Sequence, residues 1–179
     1  MNIHPFLYVA VTVLAIGLSG WLVVSFIGTS YPWIFAWIWF NLFIAIYELY
    51  VIWYRHRFSP EKCPRDFWNE PVERGFWFKA WQEYTCYSDR RYLDPKDFVF
   101  WLEFGNVVFV VCLIIAYFAN SALFMGVVLV AQAYHCLLYF LSLYHSEKYT
   151  LMNPVKASAY LMISAIWFII PIICIRELV

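Results

Sequence analysis

Five apolar runs, each long enough to cross a hydrocarbon core of about 30 Å, leave this chain almost no choice of secondary structure. They cover 5–27, 33–54, 98–120, 122–145 and 157–175. Where no water reaches the backbone, such a segment satisfies its N–H and C=O groups only by coiling into a helix. The expected fold is therefore all-α: a polytopic membrane protein, one domain over 1–179, built as a five-transmembrane-helix bundle with one long aromatic-rich loop at 55–97. With 64% hydrophobic and 13% charged residues, the composition lies far outside that of soluble domains. Met1 to Pro5 has no basic segment and the run that follows is too long for a signal peptide, so it reads as a retained helix.

The connections set the topology. Gly28 to Pro32 and the Asn120–Ser121 corner are so short that the helices they join must be antiparallel neighbours. The long loop carries Arg55, Arg57, Lys62, Arg65, Arg74, Lys79, Arg90, Arg91 and Lys96, whereas Arg176 lies on the opposite side. The positive-inside rule then puts the loop and the N-terminus in the cytosol, although eight acids within the loop dilute its positive charge. Its many aromatics, Trp68, Trp77 and Trp81 among them, are unlike a disordered linker and suit a segment that lies on the bilayer and lids the bundle. A formal net charge of zero argues against nucleic acid as a partner.

Glu48 and Glu103 are the carboxylates inside the apolar runs, each about six residues from the long loop. At about 1.5 Å per residue both lie roughly 9 Å inside the same boundary. An ionised side chain near the bilayer centre costs at least about 2–3 kcal/mol, so such acids face a bundle interior and mark a path or pocket. The bland alternative, a helix-end residue snorkelling to the headgroups, is weakened by two acids at matching depth.

Polar residues recurring at helical spacing identify the inner faces of membrane helices. On the second run Asn41, Ile44 and Glu48 share an arc; the third pairs Glu103 with Asn106; the fourth aligns Gln132, His135, Tyr139 and Ser142; the fifth aligns Tyr160, Ser164 and Trp167. Each stripe alone reads as interhelical glue. Together they converge on the loop-side half, where Glu48, Glu103, Asn106, Gln132, Tyr139 and Trp167 are expected to line a mostly apolar small-molecule pocket.

The five cysteines show no metal-ligand spacing and read as buried thiols, since a Cys63–Cys86 bridge would need a lumenal loop, against the charge count. Four scattered histidines offer no metal site, and no cofactor motif is visible. Two adjacent buried acids cannot both ionise cheaply, so they share a proton; one then donates while the other accepts. In an apolar pocket that suits protonation of an alkene and proton loss elsewhere, through a carbocation that Trp167 would stabilise by about 0.5–2 kcal/mol.

In these residues the chain resembles the EXPERA-domain family, especially the emopamil-binding protein type, which includes the sterol Δ8-Δ7 isomerase. The resemblance spans essentially the whole chain and is carried by Trp81-Gln-Glu-Tyr84 with Asp89-Arg-Arg-Tyr92, Glu103, Gln132-Ala-Tyr134 with Tyr139-Phe140-Leu141, and Ala165-Ile-Trp167 with Pro171. It implies an endoplasmic reticulum membrane protein whose five helices enclose a lipophilic pocket, with Glu48, Glu103 and Trp167 as the catalytic positions and no cofactor. Asn106, Gln132, His135, Tyr139, Ser164, Ile44 and Tyr84 are the matching substrate-binding candidates. The chain departs from the isomerase pattern where Ile44 replaces a histidine, Ser164 an asparagine and His135-Cys136 a polar pair. The resemblance also implies a lumenal loop, opposite to the charge count.

The expectation is an intramembrane isomerase or cyclase acting on a sterol or terpenoid-like lipid, with membrane lipid around it and a homodimer as the assembly left open. The alternative is a non-catalytic binder of sterols or cationic amphiphiles, resembling the sigma-2 receptor, which Ile44 favours. A proton-coupled transporter fits least, since the chain lacks repeats and broken helices.

Overall fold

The computed structural model describes residues 5–55, 81–82, 85–86, 89–94, 96–144, 158 and 161–179, and every described secondary-structure element is helical. Helix α1 spans Pro5–Ile27, α2 Pro32–Trp53, α3 Phe98–Phe118, α4 Ala122–Tyr144 and α5 Ile166–Ile175, the last preceded by a helical turn at 161–164. A 3₁₀ turn, Arg90–Leu93, lies in the long loop. Pro32 opens α2, where its missing N–H costs nothing.

The Asn120–Ser121 corner shows how two residues reverse the chain. Asn120 takes φ 50°, and the N–H groups of Asn120 and Ser121 donate to the Tyr117 and Ala116 carbonyls at 3.0 and 3.1 Å, closing the end of α3. Ser121 then accepts the Phe124 N–H with its hydroxyl, capping α4. The same motif stops α3 at Phe118, two residues short of the expected bound. At the same end of the bundle Gly28, at φ 63°, makes the turn out of α1, and the Thr29 hydroxyl beside it meets the Tyr117 hydroxyl near the end of α3. The Asp97 carboxylate accepts the Val99 N–H at 3.0 Å and starts α3.

Three helices, Pro32–Trp53, Phe98–Phe118 and Ala122–Ser142, are long and apolar enough to cross a membrane, with Val11–Ile27 and Leu161–Ile175 as shorter apolar helices among the described residues. The protein is thus an all-helical integral membrane protein. α2 packs on α3 and α5, α4 on α3 and α5, and α1 chiefly on α2. α1 and α2 meet closely at Gly20, where an added Cβ would come within 3.2 Å of the Trp39 ring, and Trp39 Nε1 donates to Ser19 Oγ. Large apolar side chains such as Leu14, Ile46, Trp53, Ile115 and Leu123 point outward, whereas Asn41, Glu48, Asn106 and Gln132 are buried. This inversion is what a lipid solvent demands.

At the loop end, Trp81, Cys86, Tyr92 and Leu93 are buried against Val51, Val99, Leu102 and Tyr139, so this part of the loop closes over the helix ends. It is pinned by Asp89 and Arg91, whose ion pair is 2.6 Å long, while Arg91 also donates to the Ser142 hydroxyl and carbonyl near the end of α4. Burial works to lower the Arg91 pKa, but the hydrogen bond and charge of Asp89 outweigh it and raise the value above that of an ordinary arginine. One expectation is corrected here. Cys86 is disulfide-bonded, whereas Cys112, Cys136 and Cys174 are free thiols; Cys63 lies outside the described residues.

Candidate functional site

Glu48 sits five residues before the end of α2 and is 3% exposed. On α3, Asn106 Nδ2 donates to both of its carboxylate oxygens, at 3.0 and 3.2 Å. Asn106 is itself held: Gln132 Nε2 on α4 donates to its Oδ1 at 3.0 Å. Gln132 Oε1 in turn accepts the indole N–H of Trp37 at 2.9 Å, back on α2. The result is a buried ladder joining three helices and running Trp37, Gln132, Asn106, Glu48. Trp37 and Glu48 are 11 residues apart on one helix, so the ladder covers about 16 Å, roughly half of the hydrocarbon thickness.

Trp167 on α5 joins from the side. Its indole N–H donates to Asn41 Oδ1 at 2.9 Å, and Asn41 Nδ2 donates to the Trp37 carbonyl at 2.9 Å. The Trp167 ring meets Trp37 at 6.1 Å and Phe40 at 5.7 Å between centroids, while Trp37 and Phe40 stack at 5.6 Å. Asn41 precedes Glu48 by seven residues, so this aromatic group is anchored about 10 Å deeper than the carboxyl along α2.

The other expected residues divide. Ser164 is buried and its carbonyl receives the Cys136 thiol. Ile44, one turn from Glu48, packs into the apolar cluster that includes Trp37, Phe40 and Trp167. His135 lies in the α3–α4 seam: its Nε2 donates to the Leu102 carbonyl at 3.0 Å, its ring meets Phe109, and Gly105 provides the space it fills. Tyr139 is buried at the loop end, its ring 5.4 Å from Tyr92. Glu103 lies on α3 three residues, about 4.5 Å of rise, from Asn106. Its side chain, like Tyr84, Tyr160 and His145, falls outside the described residues. Among the described residues, no group of three His, Cys, Asp or Glu could hold a metal.

Trp37 is the residue that the reading of stripes passed over. Positions 37, 41, 44 and 48 lie on one helical arc, so a signal was present. It was hidden because ten tryptophans in so aromatic a chain make any one of them look like packing.

The ladder ends on Glu48, and a buried carboxyl that accepts an amide NH₂ on both oxygens is suited to accept or hold a proton inside an apolar medium. Comparison of the chain with protein-family models, curated proteins and solved structures finds no match in any of the three.

Proposed function

We propose that this protein is an integral membrane isomerase or cyclase that moves a proton on a sterol or terpenoid-like lipid, with Glu48 and Glu103 as the two acid–base groups. The observation that carries the reading is the buried Glu48 carboxyl, held by Asn106 and Gln132 at the loop end of the bundle. Holding an acid there by a chain of amides is costly to maintain for packing alone, since neutral interhelical bonds in membranes average only about 0.6 kcal/mol. Glu103 lies within about one turn of Asn106, the residue that holds Glu48, on α3, which supports taking the two acids as a pair. Trp167 supplies an aromatic face for a cation deeper inside. The sequence pattern resembling the EXPERA family supplies the reaction type.

The same reading takes all five apolar helices as spans, with the pocket between α2, α3, α4 and α5. We place the protein in the endoplasmic reticulum with the long loop lumenal, supported by the disulfide-bonded Cys86. An N-glycosylation acceptor inserted in the 55–97 loop is then modified in microsomes, and one that stays unmodified there excludes this orientation.

The decisive experiment begins with the lipid that copurifies, identified by mass spectrometry and returned to purified protein as substrate. Product formation that is lost in Glu48→Gln and Glu103→Gln, both still folded and binding the lipid, supports the proposal. Unchanged turnover in either variant removes that acid from the mechanism. Recovery of the lipid unaltered by the wild type favours the second reading, a binding protein, which the apolar Ile44 beside Glu48 supports.

A further inference from the structure

The direction of the hydrogen bonds in the ladder distinguishes the two acids. An amide such as Gln132 or Asn106 can turn over, exchanging its donor and acceptor ends, and its partners decide which way it sits. An indole N–H has no such freedom, because it only donates. Trp37 Nε1 lies 2.9 Å from Gln132 Oε1, so Gln132 must present its oxygen there and its NH₂ group to Asn106. Asn106 must then offer Oδ1 to Gln132 and NH₂ to Glu48, where both carboxylate oxygens accept. Turning either amide would set donor against donor or acceptor against acceptor in a buried site, at about 1–3 kcal/mol for each group left unsatisfied.

From this geometry, and resting on the acid–base reading above, we propose that Trp37 is a positioning residue that fixes Glu48 as the proton acceptor of the pair, acting through Gln132 and Asn106. Glu103 is then the donor. Its O–H bond breaks as a C–H bond forms at one end of the substrate double bond, leaving a cation. A neighbouring C–H bond then breaks, its electron pair becomes the new double bond, and the proton passes to the Glu48 carboxylate. Return of that proton from Glu48 to Glu103 resets the pair. Substrate and product carry the same number of hydrogens, and no electron acceptor is needed.

Trp37→Phe keeps a smaller aromatic ring between Phe40 and Trp167, and it leaves the backbone carbonyl of residue 37 that Asn41 uses. What it removes is the N–H that orients Gln132. Infrared difference spectra of purified protein at neutral pH read the outcome at Glu48 directly, with Glu48→Gln to assign its bands. In the wild type, Glu48→Gln should remove carboxylate absorption and no protonated-carboxyl band. In the Trp37→Phe background, the same substitution should remove a protonated-carboxyl band, because the amides are free to turn and offer Glu48 an oxygen. A purely packing role for Trp37 would lower stability without moving these bands.

A protonated Glu48 in the wild type overturns the assignment, and this measurement does not require Trp37→Phe to fold. A Glu48 that stays a carboxylate in folded Trp37→Phe overturns the role of Trp37. If both acid-to-amide variants turn over the copurifying lipid, the acid–base function fails whatever the spectra show. If both are inactive and Glu48 is neutral, the ladder proposal fails by itself.

Discussion

Asn106→Ala tests how much the bond to Glu48 is worth. Asn106 gives its NH₂ group to the Glu48 carboxyl and its oxygen to Gln132. Losing the first removes a bond to a charged group, about 1.5–3 kcal/mol, and losing the second leaves a buried amide donor unsatisfied, about 1–3 kcal/mol. The single variant should therefore lose about 2.5–6 kcal/mol, but that figure mixes two bonds. A double-mutant cycle with Glu48→Leu isolates the Glu48–Asn106 coupling. If the carboxylate is the acceptor, the coupling should lie at about 1.5–3 kcal/mol, several times the average of about 0.6 kcal/mol for interhelical hydrogen bonds in a membrane. The assay is reversible unfolding in mixed micelles, followed by helical circular dichroism for the four proteins of the cycle. A coupling of about 0.6 kcal/mol or less would make this bond ordinary helix glue, and the argument for a charged, specially held Glu48 would fail.

Three other perturbations probe the frame around the site. In Gly105→Ala the new Cβ would lie 2.9 Å from His135 Cε1, so stability in the same assay should drop by about 1–3 kcal/mol as overpacking does, and His135→Ala in the same chain should restore most of it. Arg91→Met leaves the Asp89 carboxylate, 2% exposed, with the backbone N–H of residue 91 but without the guanidinium, and should cost about 1.5–3 kcal/mol and make the loop end sensitive to protease. Because the folded Arg91 pKa is raised, the arginine side of this clamp is lost only as pH rises through the raised value, so wild-type protease resistance should persist into mildly alkaline buffer. Glu177→Gln weakens the carboxylate that accepts the Trp33 and Ile34 N–H groups at 2.8 and 2.9 Å. It should lower the thermal midpoint by an amount equivalent to about 0.5–1 kcal/mol, the value of a charge at a helix N-terminus.

Helical character and antiparallel neighbours were legible in the residues themselves, because a hydrocarbon solvent permits only a helix and a two-residue corner permits only reversal; length was less so, since α5 covers Ile166–Ile175 against an expected 157–175, and among the described residues three helices are long and apolar enough to cross. The stripes also identified the inner faces: Asn41, Glu48, Asn106 and Gln132 are all buried. Periodicity reports which side of one helix turns inward, but not which neighbour it meets there. It therefore aligned His135 and Tyr139 with Gln132, whereas packing sends His135 to the Leu102 carbonyl, Tyr139 against Tyr92 at the loop end and Gln132 to Asn106. The bond of Glu177 to the start of α2, across 144 positions of sequence, has no local pattern at all.

What the chain determined by itself was the solvent, the helices and the presence of acids within them, since those follow from composition and length. The tertiary structure alone decided the polarity of the ladder. A glutamine and an asparagine have no direction until a donor-only indole from another helix meets one end, and that meeting depends on the crossing of α2, α3 and α4 rather than on any spacing along one of them.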